Sequence, residues 1–279
     1  MDWSTAQKEL GMSLNPLYGE REAAVIADWV MESLSGKKKL DRLMIRGELL
    51  TAGQLAQYER YRGELLAHRP VQYVLGESWF AGMKFFVDER VLIPRPETEE
   101  LVDWAGATVS GSVLDIGTGS GCIAVTLARR LPDVTLAACD VSAGALAVAR
   151  KNAKELGAGV RFLELDFLDR GTWESLPPIR WLVSNPPYIS ADERGSMSRH
   201  VVDYEPDMAL FVPDGNALVF YRALGEFARN RLEPGGGILA EIHEDRGPIV
   251  QELFLGLGAQ MVELRRDLQG RDRMIKATW

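Results

Sequence analysis

The chain is poor in cysteine and histidine. Its two cysteines, Cys122 and Cys139, sit inside apolar runs without metal-ligand spacing. That excludes a disulfide framework or thiolate metal site and makes them small core residues of a reducing compartment. The three histidines, His68, His200 and His243, are scattered; the first reads as a helix-end residue, the others as locally hydrogen-bonded groups, and no metal site is expected. No apolar run reaches the length of a membrane span, and the N-terminus lacks the basic-then-apolar layout of a signal peptide. A cytoplasmic protein is expected. Positive charge is in deficit, with a formal net charge of −8, which argues against a polyanionic partner because nucleic-acid binding relies on Lys and Arg neutralising phosphates. What remains is 279 residues, 46% of them hydrophobic, enough for one large domain and a smaller one.

The first 70 or so residues read as helices. One amphipathic segment carries Ile26, Trp29, Val30 and Leu34 on one face and ends at Gly36. A second starts at Thr51, with Gln54 as its capping-box partner and Leu55, Tyr58, Leu65 and Leu66 as its apolar stripe; His68, Arg69 and Pro70 close it. Lys37-Lys38-Lys39 between them is a solvated run. From Val71 to Val91 the pattern turns to β, with Gln72 to Leu75, Trp79-Phe80, a turn at Ala81-Gly82, and Lys84 to Val87, predicting a hairpin that links two domains. In the stretch from Ile93 to Glu100, prolines stiffen the chain and acidic residues open a helix through about Trp104.

Beyond residue 110, short apolar runs alternate with helix-length amphipathic segments, the signal for a parallel sheet covered on both faces. Strands are expected at Val113–Ile116, Thr135–Cys139, Val160–Leu163, Trp181–Ser184, Gly237–Ile242, Met261–Arg265 and Met274–Ala277. The connection before the last is too short for a crossover, so the last strand should run antiparallel. No internal repeat or low-complexity tract is visible.

Four successive strand ends carry chemistry. The first runs into Asp115-Ile116-Gly117-Thr118-Gly119-Ser120-Gly121, whose glycines let a ligand approach the backbone at the mouth of the sheet. A dinucleotide is the obvious competitor, but the spacing is not Gly-x-Gly-x-x-Gly and the acidic Asp115 would repel phosphates, so a nucleoside without pyrophosphate fits better. Asp140 ends the second strand, where a carboxylate can take both ribose hydroxyls, although a helix N-cap before Ser142 is a serious alternative. Asp166-Phe167 follows the third, suggesting an acid at the adenine amino group and an aromatic beside the ring. The fourth ends in Asn185-Pro186-Pro187-Tyr188, a rigid corner in which the Asn185 side chain and a proline carbonyl can grip a planar amino group and Tyr188 can flank it.

This set resembles the class I S-adenosylmethionine-dependent methyltransferases, and Asn185-Pro186-Pro187-Tyr188 resembles the motif of those that methylate planar nitrogens. With Ile93-Pro94-Arg95-Pro96-Glu97-Thr98-Glu99, Ile189, and Tyr204-Glu205-Pro206 followed by Ala209-Leu210, the chain resembles the HemK/PrmC family over nearly its whole length. The resemblance implies a seven-stranded, mostly parallel, Rossmann-like α/β sheet with an antiparallel last strand, plus a small N-terminal helical domain joined by a β-hairpin. It divides the chain into a helical substrate-recognition domain (1–70), a hairpin linker (71–92) and a methyltransferase domain (93–279). It implies methyl transfer from S-adenosylmethionine to the side-chain amide nitrogen (N5) of the Gly-Gly-Gln glutamine of class-1 peptide chain release factors. Gly117, Thr118, Gly119, Ser120, Gly121, Asp140, Asp166, Phe167 and Asn185 would line the cofactor. Asn185, Pro186 and Tyr188 would be catalytic, with Pro187 and Glu205 also touching substrate. Arg95 and Thr98 would roof the site, and the long segment Ile189 to Val212 would be a lid. The partner is then a release factor, with no membrane or direct nucleic-acid binding expected and a monomer by default. The competing readings are an N6-adenine methyltransferase acting on DNA or RNA, a non-catalytic cofactor-binding module, and, weaker still, a nicotinamide oxidoreductase.

Overall fold

Helix starts and stops written in the sequence set the N-terminal architecture. The computed structural model describes residues 1–212 and 216–279, which divide into two compact units, Met1–Glu77 with Ser198–Tyr204 and Ser78–Met197 with Glu205–Trp279. In the first, Asp2 caps α1 (Trp3–Tyr18) by accepting the Thr5 amide at 2.8 Å, and α2 (Glu20–Ser35) ends where Gly36 turns left-handed. After the single turn α3 (Lys39–Arg42), Thr51 and Gln54 close the expected capping box on α4 (Ala52–Leu66). Leu10, Leu14, Ile26, Val30, Tyr58 and Leu65 form the core of this unit. Trp29, expected on the apolar face of α2, is instead 44% exposed. The buried Ala23, Ile26, Ala27, Val30 and Met31 define that face, and Trp29 falls on its far side at about 100° per residue. On α4 the exposed Leu66 likewise gives way to the buried Tyr61. The lysines 37–39 are exposed, as a solvated run should be.

Gln72 to Leu75, expected as a strand, belongs to the helical turn α5 (Val71–Leu75). Pro70 stands at its N-cap, Gly76 at φ 68° stops it, and the turn buries Val71 and Val74 against the helical core. Packing at helical spacing outweighs the β preference of these side chains. The rest of the hairpin forms around the expected turn: β1 (Ser78–Phe80) and β2 (Met83–Phe85) pair antiparallel around Ala81 and Gly82, both at positive φ, while Phe86 and Val87, expected in the second strand, lie beyond its end.

The second unit continues through α6 (Pro96–Gly106), β3 (Ser112–Ile116), α7 (Cys122–Arg130), β4 (Thr135–Asp140), α8 (Ala143–Glu155), β5 (Val160–Glu164) and β6 (Ile179–Ser184). Between Ile189 and Val212 lie a 3-10 turn at Ala191–Ser196, α9 (Arg199–Val202), which belongs to the helical unit, and α10 (Asp207–Leu210). α11 (Val219–Arg231), β7 (Leu232–Glu241), α12 (Gly247–Gly256), β8 (Met261–Arg266) and β9 (Asp272–Thr278) complete the chain. The seven-stranded sheet has the order β5-β4-β3-β6-β7-β9-β8, and β9 runs antiparallel to both its neighbours. Among the described residues no helix is long and apolar enough to cross a membrane.

Side-chain alternation sorts the sheet into two faces. Leu114, Ile116, Leu182, Ile238 and Ala240 pack with Phe227 and Phe254 on one side. Val113, Val183 and Leu239 pack with Leu101, Val102 and Leu127 on the other. The same parity sends Asp115 and Glu241 to the side covered by α6 and α7. Registers Ile116↔Cys139, Ile116↔Ser184 and Ser184↔Ala240 level the carboxyl ends of four strands. From β3 the connections lead outward one way to β4 and β5 and the other way through β6 to β7. That reversal opens a crevice beyond the strand ends, where open α/β sheets hold ligands.

One buried side chain ties the hairpin to this edge. Asn152 of α8, 1% exposed, accepts the Phe86 amide at 2.8 Å and donates to the Phe86 and Ser120 carbonyls, each at 2.9 Å. Asn152→Ala leaves the buried Ser120 carbonyl and the part-buried Phe86 amide and carbonyl without this partner. The expected loss is about 2–4 kcal/mol, read by urea unfolding.

Candidate active site

β3 delivers the glycine loop to the crevice. Gly117 and Gly119, at φ 69° and 53°, would each point a Cβ into open space, whereas a Cβ at Gly121 would sit 3.1 Å from that of Ala149. The last glycine therefore serves the packing of α7 on α8, and the first two leave the mouth of the sheet open. The Gly117 and Thr118 amides donate to the Cys139 carbonyl, and the Gly119 amide donates to Asp140 Oδ2 at 2.9 Å. Amides committed in this way, beside a carboxylate, are not a phosphate cradle.

Asp115 is fully buried under the loop. Its Oδ2 accepts the Thr118 hydroxyl at 2.6 Å and the Ala124 amide at 3.2 Å, while Oδ1 has no hydrogen-bond partner. Burial lifts its carboxyl to about 7, against the pull of the Thr118 hydroxyl and Ala124 amide, with the Asp140 charge adding to the lift. A buried carboxylate oxygen without a donor suits a cationic ligand and disfavours an anionic one. Ser120, also buried, has an unpartnered hydroxyl.

The N-cap of α8 is Ser142, whose hydroxyl oxygen accepts the Ala145 amide, so the cap alternative for Asp140 falls away. Asp140 accepts the Ser142 amide on Oδ1 and the Gly119 amide on Oδ2, each at 2.9 Å. Burial raises its pKa and those amides oppose the rise. Asp166 is exposed and accepts the Leu168 amide. Phe167 is not beside it at the sheet mouth: 4% exposed, its ring lies 5.5 Å from those of both Trp173 and Phe227 in the core. The apolar side chain left open at a strand end is Val141, 49% exposed.

β6 brings in the Asn-Pro-Pro-Tyr corner, anchored where the Ser184 hydroxyl donates to the Ile116 carbonyl at 2.8 Å. Asn185 Nδ2 donates to Thr98 Oγ1 at 3.1 Å, and the Thr98 hydroxyl donates to Glu241 Oε2 at 2.7 Å. The Tyr188 hydroxyl donates to Glu241 Oε1 at 2.9 Å, and the Tyr221 hydroxyl to the Glu241 carbonyl at 2.9 Å. Glu241 and Thr98 are 1% and 2% exposed. Burial raises the Glu241 pKa, against the Thr98 and Tyr188 hydroxyls and the Arg273 charge; burial and the Glu241 charge push the Tyr188 phenol up. No described residue donates to Asn185 Oδ1 or to the Pro186 carbonyl. Two acceptors without a donor thus stand at the end of β6, one on the half-buried Asn185 and one on the buried Pro186, set by the corner that carries them.

Two family models match, a methyltransferase small domain over residues 97–204 and a PrmC N-terminal domain over 16–76. A release factor glutamine methyltransferase of Flavobacterium psychrophilum is 37% identical over 274 residues, spanning 96% of this chain and 95% of its own. The chain belongs to the release factor glutamine methyltransferase family. A second member, from Bacteroides thetaiotaomicron, is 38% identical over 271 residues and covers 95% of this chain and 96% of its own. The fold is that of a methyltransferase from Pyrococcus furiosus, with a TM-score of 0.52 at 18% identity over 82% of this chain and 98% of that one.

For a member of the release factor glutamine methyltransferase family the methyl donor is S-adenosylmethionine, a cation with a ribose and no phosphate. The open glycines, the unpartnered Asp115 oxygen and the Asp140 carboxylate fit it. The structure gathers Asp115, the glycine loop, Asp140, Asn185 and Tyr188 at one sheet edge, but it moves Glu205 to another task. That side chain, 4% exposed, accepts the Ile93 amide at 3.1 Å and Arg95 at 2.6 Å. Buried, and bonded through both oxygens to the chain before α6, Glu205 is a clasp and presents no surface to a protein substrate. Around it, the Ile189 amide donates to the Leu210 carbonyl and the Val212 amide to the Ile189 carbonyl, which staples the ends of the expected lid together. His200 meets Ser198 two positions away, whereas His243, besides accepting the Asp245 amide, meets Glu193 and sets its ring edge-on to Tyr188 at 6.0 Å. Glu241 escaped the sequence reading, although a carboxylate inside the run Ile238 to Ile242 was a visible anomaly for a buried strand.

Proposed function

We propose that this chain transfers a methyl group from S-adenosylmethionine to N5 of the glutamine in the Gly-Gly-Gln motif of class-1 release factors. The observation that carries this reading is the pair of free acceptors, Asn185 Oδ1 and the Pro186 carbonyl. A primary amide offers two N–H donors in one plane, and two fixed acceptors can hold both. An amide nitrogen is a weak nucleophile because its lone pair is shared with the carbonyl. When bound, S-adenosylmethionine supplies a methyl group already activated on a sulfonium, so the task left to the residues is orientation. Asn185 and Pro186 hold the nitrogen and stabilise the positive charge that develops on it. Tyr188 flanks the amide plane. The extra proton leaves after transfer, and no residue need act as base beforehand.

The loop Gly117 to Gly121 would hold the methionine part of the cofactor beside Asp115, Asp140 the ribose, and Asp166 the adenine amino group, with Val141 in place of Phe167 as the apolar contact. Residues 1–70 would recognise the release factor, 71–92 link, and 93–279 carry the chemistry. This reading makes the protein a cytoplasmic monomer that acts on a protein and not on nucleic acid.

The test is transfer of labelled methyl from S-adenosylmethionine into a purified release factor, beside the same factor with its Gly-Gly-Gln glutamine replaced and a duplex DNA control. Label in the intact factor alone is expected. Label in DNA would transfer the site to an adenine amine, and label in neither would overturn the acceptor.

A further inference from the structure

An asparagine amide can be turned over with little change of shape, exchanging its acceptor for its donor. The grip on a substrate NH₂ works only with Asn185 Oδ1 outward, so something behind Asn185 must choose between the two orientations. Behind it stands Thr98 Oγ1, at 3.1 Å. A hydroxyl has one proton to give, and Glu241 receives a hydroxyl on each oxygen, Thr98 on Oε2 and Tyr188 on Oε1, the pattern of a carboxylate that accepts only. With Glu241 Oε2 2.7 Å away, the Thr98 proton is committed to Glu241 and a lone pair faces Asn185. Only the NH₂ end of Asn185 satisfies that lone pair; the reverse orientation sets oxygen against oxygen.

The fold builds this chain of bonds from three distant stretches. Thr98 lies in the first turn of α6, Asn185 follows β6, and Glu241 ends the adjacent β7, with Ser184 in register with Ala240. Parity along β7 points Glu241 toward the α6 side, where Thr98 waits. The second oxygen of the same carboxylate takes the Tyr188 hydroxyl at 2.9 Å, so one buried group governs both polar side chains of the corner. The Tyr221 hydroxyl holds the Glu241 backbone from behind.

We propose that Glu241 is a positioning residue which, through Thr98, locks the Asn185 amide with its oxygen toward the substrate and thereby makes the site read an amine rather than a carboxylate. This rests on the proposed function. Against two outward acceptors a glutamate side chain is repelled; with Asn185 reversed, an N–H faces outward and a carboxylate is welcome. The relay is a specificity device as well as a support.

The experiment measures methyl transfer for the wild type, Thr98→Val, Thr98→Ser and Glu241→Gln, with thermal unfolding and cofactor affinity for each. Beside these it measures inhibition by a release factor whose Gly-Gly-Gln glutamine is replaced by glutamate. Thr98→Val keeps the shape and removes the hydroxyl. It is expected to lower kcat on the order of tenfold or more, with cofactor affinity within about threefold. The same variant should strengthen inhibition by the glutamate-bearing factor about fivefold or more relative to binding of the natural one. Thr98→Ser should restore wild-type values. Glu241→Gln can accept only one of its two hydroxyls and should move both readouts the same way, which serves if Thr98→Val does not fold.

A loss of kcat in parallel with cofactor affinity, with no change in glutamate inhibition, would reduce the relay to packing and overturn the proposal. So would wild-type kcat and inhibition in Thr98→Val. Absence of methyl transfer by the wild type itself would strike the proposed function instead, so the two failures are distinguishable.

Discussion

Asn185→Ala is expected to reduce methyl transfer to the release factor by on the order of 10²- to 10³-fold while leaving S-adenosylmethionine affinity within about threefold. The asymmetry follows from where the side chain sits. Asn185 is half-buried at the end of β6, one amide end bonded to Thr98 and the other open. The cofactor candidates lie on the ends of β3, next to β6, and of β4 beyond it, and their contacts do not run through Asn185: Gly119 is held by Asp140, and Asp115 by Thr118 and Ala124. Alanine removes one of two fixed acceptors, so the nitrogen loses a positioning bond and a partner for its developing charge. It also leaves the Thr98 oxygen without a donor, a folding cost of about 1–3 kcal/mol. Single-turnover transfer of labelled methyl and equilibrium cofactor binding separate the two quantities. Unchanged turnover would remove Asn185 from the mechanism, and a matching fall in cofactor affinity would make it a cofactor ligand first.

The parts of this protein that could be read in advance are those set by neighbours along the chain. The capping box on α4 needs only Thr51 and Gln54, three positions apart. The reversal of β9 follows from a connection too short for a crossover. Where the outcome depends on what packs from elsewhere, the reading failed. Val71 to Leu75 carries strand-like side chains but is helical because a helical core receives Val71 and Val74. Phe167 looked like a ligand contact because it follows a strand end, yet Trp173 and Phe227 claim its ring. Glu205 looked like a substrate contact until Ile93 and Arg95, more than a hundred residues earlier, took both its oxygens. Strand ends locate a site in an α/β sheet, and hydrogen-bond partners decide what each residue there is free to do. The bond from Thr98 to Glu241 spans 143 positions, beyond any local pattern.

Cofactor affinity is expected to tighten as pH rises toward 7 and to level off above it, and Asp115→Asn is expected to abolish that slope along with most of the affinity. Burial lifts the Asp115 carboxyl from 3.8 to about 7, outweighing the Thr118 hydroxyl and Ala124 amide. A carboxyl whose folded pKa is raised contributes stability below its unfolded pKa, near 4, and loses it as pH climbs through about 7. The free protein therefore carries a growing burden at Asp115 across that window. A bound sulfonium or ammonium supplies the opposite charge and favours the ionised form, so binding expels a proton wherever the free carboxyl still holds one. The linkage limits the slope to about tenfold in affinity per pH unit below the pKa. Asparagine keeps the shape but has no charge to offer a cation and no proton to lose. The sign for stability is opposite: ligand-free Asp115→Asn should gain on the wild type as pH rises from about 4 to about 7 and hold that gain above, because the buried carboxyl that resists ionisation is gone. Calorimetric binding in buffers of different ionisation enthalpy counts the released proton, and thermal unfolding of the ligand-free pair reads the stability. A pH-independent affinity, or an Asp115→Asn variant that loses stability relative to wild type as pH rises, would show that Asp115 is not the buried acid that faces the cofactor's charge.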